Sequence, residues 1–493
     1  MARGTLAQQG TQIAGLATAI VVTTALGRNL TLAEFGVYGL VISFTTYLYF
    51  ALGSAETAAV RSISAADEGA ERDRAFSTAL AVYAALGVVA GVLIAGGGVL
   101  VVGLLGFEGE LLQDARLGAI GVGAVTAVGW PLKISQDLLR AVQRFATASL
   151  VEAVGTTLLA ATTVVLLLVA DAPLWVLITV GGAIPLYVGA TATLVVLFSG
   201  IAQRPRPREL RRAELREFLR VSSALLLVAA SDVVVTSLDR IILASFRSPA
   251  TLGLYEGAVR PNNLVRALSG AFSVTLLPVS SRLASTADAA RERALLLRGT
   301  RYMLAGLVPP TVAIMVLVEP VLVAWLGEKY GESALACAIF LVWWLFAPNA
   351  AVASTMLVVD GRLRRFAVLS WATAGANLAL SLALTPIFGL EGVVLGTTLA
   401  YLVVLPFYVS YALQRVGVSL AEFARAAWLP AYGTGLVVAA GGAAAHLLLP
   451  LESPAVAFAA LGGLTVLGWL LVAGVFLSKD ERSLLRTLAS RGS

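Results

Sequence analysis

The feature that most restricts this chain is where its positive charge lies. Fourteen apolar runs follow one another, near residues 7–27, 35–57, 76–106, 117–137, 146–170, 174–200, 220–246, 251–282, 299–326, 333–358, 367–387, 390–413, 428–449 and 455–477. A helix needs about twenty mostly apolar residues to cross about 30 Å of hydrocarbon, and each run meets that length. The segments between the runs form two alternating sets. One set, which includes both ends of the chain, holds 27 of the 35 lysines and arginines; the other holds only Arg28, Arg116, Arg247 and Lys329. Positive charge beside an apolar run resists translocation, so the richer set is predicted to face the cytoplasm. The sequence therefore predicts an all-α, polytopic transmembrane helix bundle of about 14 spans in the inner (cytoplasmic) membrane, N-in and C-in.

Composition narrows the functional classes. A chain that is 58% hydrophobic and 13% charged, with mean hydropathy +0.88, does not fold as a soluble globule with a polar exterior. Its pI of about 9.6 would point a soluble protein toward nucleic acid. Here membrane topology accounts for the basic excess, and no nucleic-acid partner is expected. Cys337 is the only cysteine, so neither an internal disulfide nor a cysteine-based metal site is available. Gln8, Gln9 and Gln12 mark the first run as a span rather than a cleavable signal. There is no Walker A sequence, nucleophile elbow, HExxH or dinucleotide fingerprint. The chain is not expected to be an enzyme, and no catalytic residue, metal site or cofactor is assigned.

One segment divides the runs. RPRPRELRRAELREFLR, residues 204–220, splits the first twelve runs into six and six. It reads as a topology-setting loop, or as an amphipathic surface helix over Leu210, Leu215, Phe218 and Leu219 that could latch on anionic headgroups. The predicted organisation is an N-lobe over 1–202, a basic cytoplasmic linker over 203–219, a C-lobe over 220–416, and two extra C-terminal spans with a tail over 417–493. AEFGVYGL between the first two runs and ATLGLYEG between the seventh and eighth support two six-helix lobes in pseudo-twofold arrangement, Gly36 and Tyr38 matching Gly253 and Tyr255.

Charged residues inside spans are costly and mark candidate sites. In the seventh run Asp232, Thr236 and Asp239 share a helix face, with Arg240 beside it; in the eighth, Glu256, Arg260 and Asn263 do so, with Arg266 deeper. Two readings stand. The groups close into a salt-bridge network, for example Asp239 with Arg260, or the arginines offer bidentate forks to a phosphate-bearing ligand. The runs also hold Lys133 and Asp137, spaced for an i, i+4 pair, and Glu152; the acids outnumber the bases, so any anion preference must be local. Arg28 ends the first run, and Glu56 and Arg61 end the second. His446 reads as interfacial, Trp175, Trp325 and Trp428 as belt residues, and Pro309 and Pro310 as a kink.

Residues 26–63, LGRNLTLAEFGVYGLVISFTTYLYFALGSAETAAVRSI, resemble the opening of the Wzx-type oligosaccharide flippases. Residues 237–283, with DRIILA and GLYEGA, resemble the start of their second half. The resemblance implies the multidrug/oligosaccharidyl-lipid/polysaccharide exporter superfamily: two six-helix lobes about a cavity, sometimes with two extra C-terminal helices. It further implies a flippase that moves polyprenyl-diphosphate-linked oligosaccharide from the inner to the outer leaflet by alternating access. Under that reading Arg260 and Arg266 engage the diphosphate, with Arg28, Arg61 and Asn263 as further substrate-binding candidates. Asp232, Asp239, Arg240, Glu256, Lys133, Asp137 and Glu56 form the cavity charge network or coupling groups. The expected partners are the lipid-linked oligosaccharide, membrane lipid, and glycosyltransferases or a polymerase; the chain is expected to act as a monomer. A cation-coupled multidrug exporter and a lipid-linked peptidoglycan precursor flippase are the alternatives.

Overall fold

The apolar runs fold as helices wherever they lie among the described residues. The computed structural model describes the backbone of residues 2–201, 203–205, 215–216, 218, 238–286, 289–360 and 362–476. The helices in order are α1 (Ala2–Asn29), α2 (Leu32–Ala65), α3 (Ala70–Leu104), α4 (Gly109–Ala141), α5 (Phe145–Leu168), α6 (Leu174–Gly181), α7 (Ile184–Phe198) and α8 (Pro249–Thr286). They continue with α9 (Glu292–Val316), α10 (Val318–Leu326), α11 (Ala334–Val359), α12 (Leu363–Phe388), α13 (Leu390–Val416), α14 (Leu420–Leu448) and α15 (Pro454–Leu471). Residues 238–246 are also helical, and no strand occurs among the described residues. Among the described residues, nine helices are long and apolar enough to cross a membrane, or up to eleven spans if each of two bent pairs counts as one. Most of the basic linker, and Asp232 and Thr236 of the seventh run, lie outside the described residues.

Local chemistry sets the ends of these helices. TLAE at the start of α2 is a capping box: Glu34 N–H donates to Thr31 Oγ1 at 3.2 Å, and Thr31 N–H donates to Glu34 Oε2 at 2.7 Å. Gly389, with φ of 62°, reverses the chain between α12 and α13 where a side chain would be strained.

The chain divides into two compact units, Met1–Gly253 and Leu254–Ser493. In the first, α4 is the central helix, packed on α2, α3, α6 and α7. Small residues let it approach closely: a Cβ on Gly91 of α3 would stand 2.6 Å from the Gly123 carbonyl oxygen of α4. The first unit also brings the repeat glycines together, since a Cβ on Gly36 would stand 2.6 Å from the backbone nitrogen of Gly253.

Two expected spans are bent. The run at 174–200 is two helices, α6 and α7, at 53°. Gly181 and Gly182 supply little propensity, and Pro185 starts α7 where its missing N–H costs nothing. The run at 299–326 bends by 79° between α9 and α10, at Leu317 rather than at Pro309 and Pro310, through which α9 continues.

The C-terminal helices partner two carbonyls of this latter run. Pro310 cannot donate to the carbonyl four residues back, Gly306, and that oxygen instead accepts the Trp469 indole N–H of α15 at 3.1 Å. At the bend, the Val316 carbonyl hydrogen-bonds His446 Nε2 of α14 at 2.8 Å, which gives the lone histidine a structural partner beyond its interfacial place. Trp469→Phe is expected to lower unfolding free energy by about 1 kcal/mol in detergent. Pro310→Ala in the same background restores the N–H and should recover it. Unchanged stability of Trp469→Phe would disprove this repair.

Candidate functional site

In the first unit the polar side chains gather on one face of α4. Lys133, Gln136, Asp137 and Arg140 are spaced i, i+3, i+4, i+7, so they project together. Glu56 from α2, Tyr83 from α3 and Glu152 from α5 close on that face. Lys133 Nζ donates to Glu56 Oε1, and Arg140 Nη1 lies 3.7 Å from Glu56 Oε2. Arg140 also reaches Asp137 Oδ1 at 3.0 Å and Glu152 Oε2 at 3.2 Å. Tyr83 donates its hydroxyl to Asp137 Oδ2 at 2.7 Å, and Gln136 Nε2 donates to Glu152 Oε2 at 2.9 Å.

The expected Lys133–Asp137 pair is therefore redistributed. Lys133 reaches across to α2, and Asp137 is matched by Arg140 and Tyr83. The Asp137 side chain is 0% exposed and that of Lys133 is 6% exposed, so neither charge is relieved by solvent. With every group ionised, three carboxylates face two cations and the cluster carries one net negative charge.

Along the same helices lies a cavity of about 590 Å³. Thr45, Thr46, Tyr49 and Thr57 of α2, Thr126 and Trp130 of α4, and the Gly181–Gly182 break wall it. Thr57 follows Glu56, and Trp130 stands one turn before Lys133, so cavity and charge network adjoin. Hydroxyls that both donate and accept, beside two aromatic faces, suit a polyhydroxylated guest. Sequence reasoning missed this wall, and it missed Tyr83, Arg140 and Glu152 as network members. The i, i+7 step from Lys133 to Arg140 was the available signal; threonines in apolar runs give none.

In the second unit Glu256 is fully buried and accepts from Arg260 Nη2 at 2.6 Å; the Arg260 side chain is 22% exposed. The structure thus supplies Arg260 with its i−4 neighbour as an ion-pair partner. Asn263 and Arg266 are exposed farther along α8. Six residues of helix put Arg266 about 9 Å beyond Arg260 and about 120° round the axis, so the two do not form one fork. Nearby, Asn262 Oδ1 accepts the Trp344 indole N–H at 2.5 Å, and Trp343 stacks on Tyr401 with centroids 4.4 Å apart.

The remaining predicted residues are dispersed. Asp239 is 1% exposed and Arg240 half-buried, while Asp232 is outside the described residues. Arg28 and Arg61 are both exposed, but nearly the whole of α2 separates them, roughly 45 Å along the helix. They cannot hold one phosphate together. Tyr38 and Tyr255 are buried packing residues, the latter edge-on to Phe340 at 5.8 Å.

Comparison with known proteins places this geometry in a family. A family model described as "Polysaccharide biosynthesis protein" matches residues 25–335. No curated protein matches the chain. Among solved structures, the lipid II flippase MurJ in an inward closed conformation superposes with TM-score 0.74 at 15% identity, over 97% of this chain and 99% of that one. An inward-facing multidrug resistance MATE family transporter of the MOP superfamily superposes with TM-score 0.69 at 15% identity, over 84% and 98%. A MOP superfamily transporter from Pyrococcus furiosus, whose binding pocket is described as reversed in polarity, gives 0.58 at 15%, over 84% and 95%. These likenesses establish a multi-pass membrane protein with the MOP transporter fold, and the match over 25–335 establishes that the chain belongs to the polysaccharide biosynthesis protein family.

Proposed function

We propose that this protein is a flippase that carries a polyprenyl-diphosphate-linked oligosaccharide from the inner to the outer leaflet of the cytoplasmic membrane by alternating access. The carrying observation is a hydroxyl- and aromatic-walled cavity of about 590 Å³ inside a membrane-embedded unit of a polysaccharide biosynthesis family member. Lipid cannot hydrogen-bond such a wall, whereas sugar hydroxyls can. The glycan packs its ring faces on this largely apolar wall and shares hydrogen bonds with the threonine hydroxyls set in it, while the polyprenyl tail stays in hydrocarbon. Arg260 and Arg266, at successive depths on α8, take the diphosphate in turn, and Arg28 and Arg61 meet it nearer the two membrane faces. The charge network around Lys133 holds α2, α3, α4 and α5 together beside the sugars.

Deletion of the gene tests the function. A flippase predicts lipid-linked oligosaccharide accumulating on the inner leaflet, restored by the cloned chain. Drug hypersensitivity without accumulation favours the multidrug exporter, and accumulated peptidoglycan precursor with lysis favours the precursor flippase; either would overturn the reading.

The orientation is N-in and C-in, supported by 27 basic residues on one set of segments against four on the other. Single cysteines replacing Glu110 and Glu391 should react with an impermeant maleimide in intact cells, and those replacing Arg208 and Arg293 should not. Labelling of the second pair would reverse the topology.

A further inference from the structure

The cavity of the first unit has two chemically different ends. It runs along α2 from Ile42 to Thr57, about 22 Å of helix. The Thr57 end adjoins the charge network, where Glu56 meets Lys133. The other end is made by the break between α6 and α7. Gly181 packs against the Tyr38 hydroxyl, one turn before Ile42. A Cβ on Gly129, beside Trp130, would stand 2.6 Å from the Leu186 backbone nitrogen. These close approaches bring Ile42 of α2, and Ile184 and Pro185 of α7, to the same end of the wall, next to Trp130.

That end presents carbon. Ile184 is 44% exposed and lines the cavity. Along α2, Thr45 donates its hydroxyl to the Ile42 carbonyl at 2.6 Å, and Thr57 donates to the Gly53 carbonyl at 3.2 Å. Their oxygens therefore offer the cavity lone pairs. A sugar hydroxyl turned toward the isoleucines exchanges water for carbon, which is costly. A methyl group in the same place gains by burial.

We propose that this end of the cavity selects a methyl-bearing sugar over its fully hydroxylated parent. The inference rests on the transport reading and names the class of sugar the cavity takes. The methyl packs on Ile42, Ile184 and Pro185, while the ring lays its apolar face on Trp130. It has two sources, the terminal carbon of a 6-deoxy sugar or the acyl group of an N-acylated amino sugar. The second also brings an amide N–H, which suits the threonine lone pairs.

The purified full-length chain in mild detergent is offered equimolar pairs of farnesyl-diphosphate-linked sugars, and retained lipid is counted by native mass spectrometry. One pair is 6-deoxygalactose against galactose; the other is N-acetylglucosamine against glucose. The wild type should retain the methyl-bearing member about tenfold better in at least one pair, within the range a hydrophobic pocket reaches against an added hydroxyl. The pair that shows the preference names the source of the methyl. Ile184→Thr sets a hydroxyl at the apolar end and should bring the preference down to about twofold or less. Ile42→Thr acts in the same direction from α2 and covers the case in which the first variant fails to fold. Leu100→Thr, on α3 at a position 70% exposed, should keep the wild-type ratio. Equal retention within both pairs, or a wild-type ratio in folded Ile184→Thr and Ile42→Thr, would overturn the preference and leave the transport reading standing. Sugar-bearing probes held no better than farnesyl diphosphate itself would overturn both.

Discussion

Replacing Lys133 with alanine is expected to lower unfolding free energy by about 3–5 kcal/mol, the cost of leaving a buried charge without its partner. Lys133 alone neutralises Glu56 closely; the other cation near Glu56, Arg140, is 3.7 Å away and shared with Asp137 and Glu152. Loss of Lys133 takes the cluster from one net negative charge to two, beside an Asp137 side chain that is 0% exposed. Desolvation explains why the alanine variant suffers and also how to rescue it. Glu56→Leu/Lys133→Met removes both charges, keeps volume, and should return stability close to wild type. Denaturant unfolding in mild detergent, read from tryptophan fluorescence, measures both. A Lys133→Ala protein as stable as wild type would show that the contact is a surface pair of little weight.

The span plan was legible because membrane insertion depends on the features that a sequence displays directly, apolar length and flanking charge. Each run among the described residues is helical for that reason. The bends were less legible. Pro309 and Pro310 advertise a kink, yet α9 passes through them because Trp469, about 160 residues later, supplies a donor to the freed Gly306 carbonyl. Compensation by a distant residue leaves no local trace. At the Leu317 break the Val316 carbonyl is likewise partnered from far along the chain, by His446.

The candidate site divides in the same way. Lys133 and Asp137 stood out because charge in an apolar run is rare, but Glu56 and Tyr83, which partner them, come from two other helices. Pair spacing on one helix suggested Lys133 with Asp137, whereas packing offered Lys133 a nearer carboxylate on α2. The cavity wall was invisible: Thr45, Thr57 and Thr126 are ordinary in apolar helices, where a hydroxyl can satisfy itself on its own backbone, as Thr45 does on the Ile42 carbonyl at 2.6 Å. Only the approach of α2, α4 and the Gly181–Gly182 break turns them into one surface.

Removing the α8 arginines is expected to separate a structural from a transport role. Arg266 is exposed, so Arg266→Ala should leave abundance near wild type while export falls about ten- to a hundredfold, the loss of one charge-assisted phosphate contact at about 1.5–3 kcal/mol. Arg260 is different, because Arg260→Ala takes an ion-pair partner from Glu256, whose side chain is 0% exposed. Lower abundance in that variant says nothing about substrate. Glu256→Gln/Arg260→Gln removes the buried charge and keeps a polar pair at i, i+4. Restored abundance with export still depressed assigns Arg260 to the diphosphate, and Arg260→Lys should recover export only in part, since it returns charge without the planar fork. Export is read as labelled oligosaccharide reaching the outer leaflet, normalised to protein in the membrane. Wild-type export by an abundant Glu256→Gln/Arg260→Gln/Arg266→Ala chain would remove both arginines from the path and leave the diphosphate to the basic residues at the membrane faces.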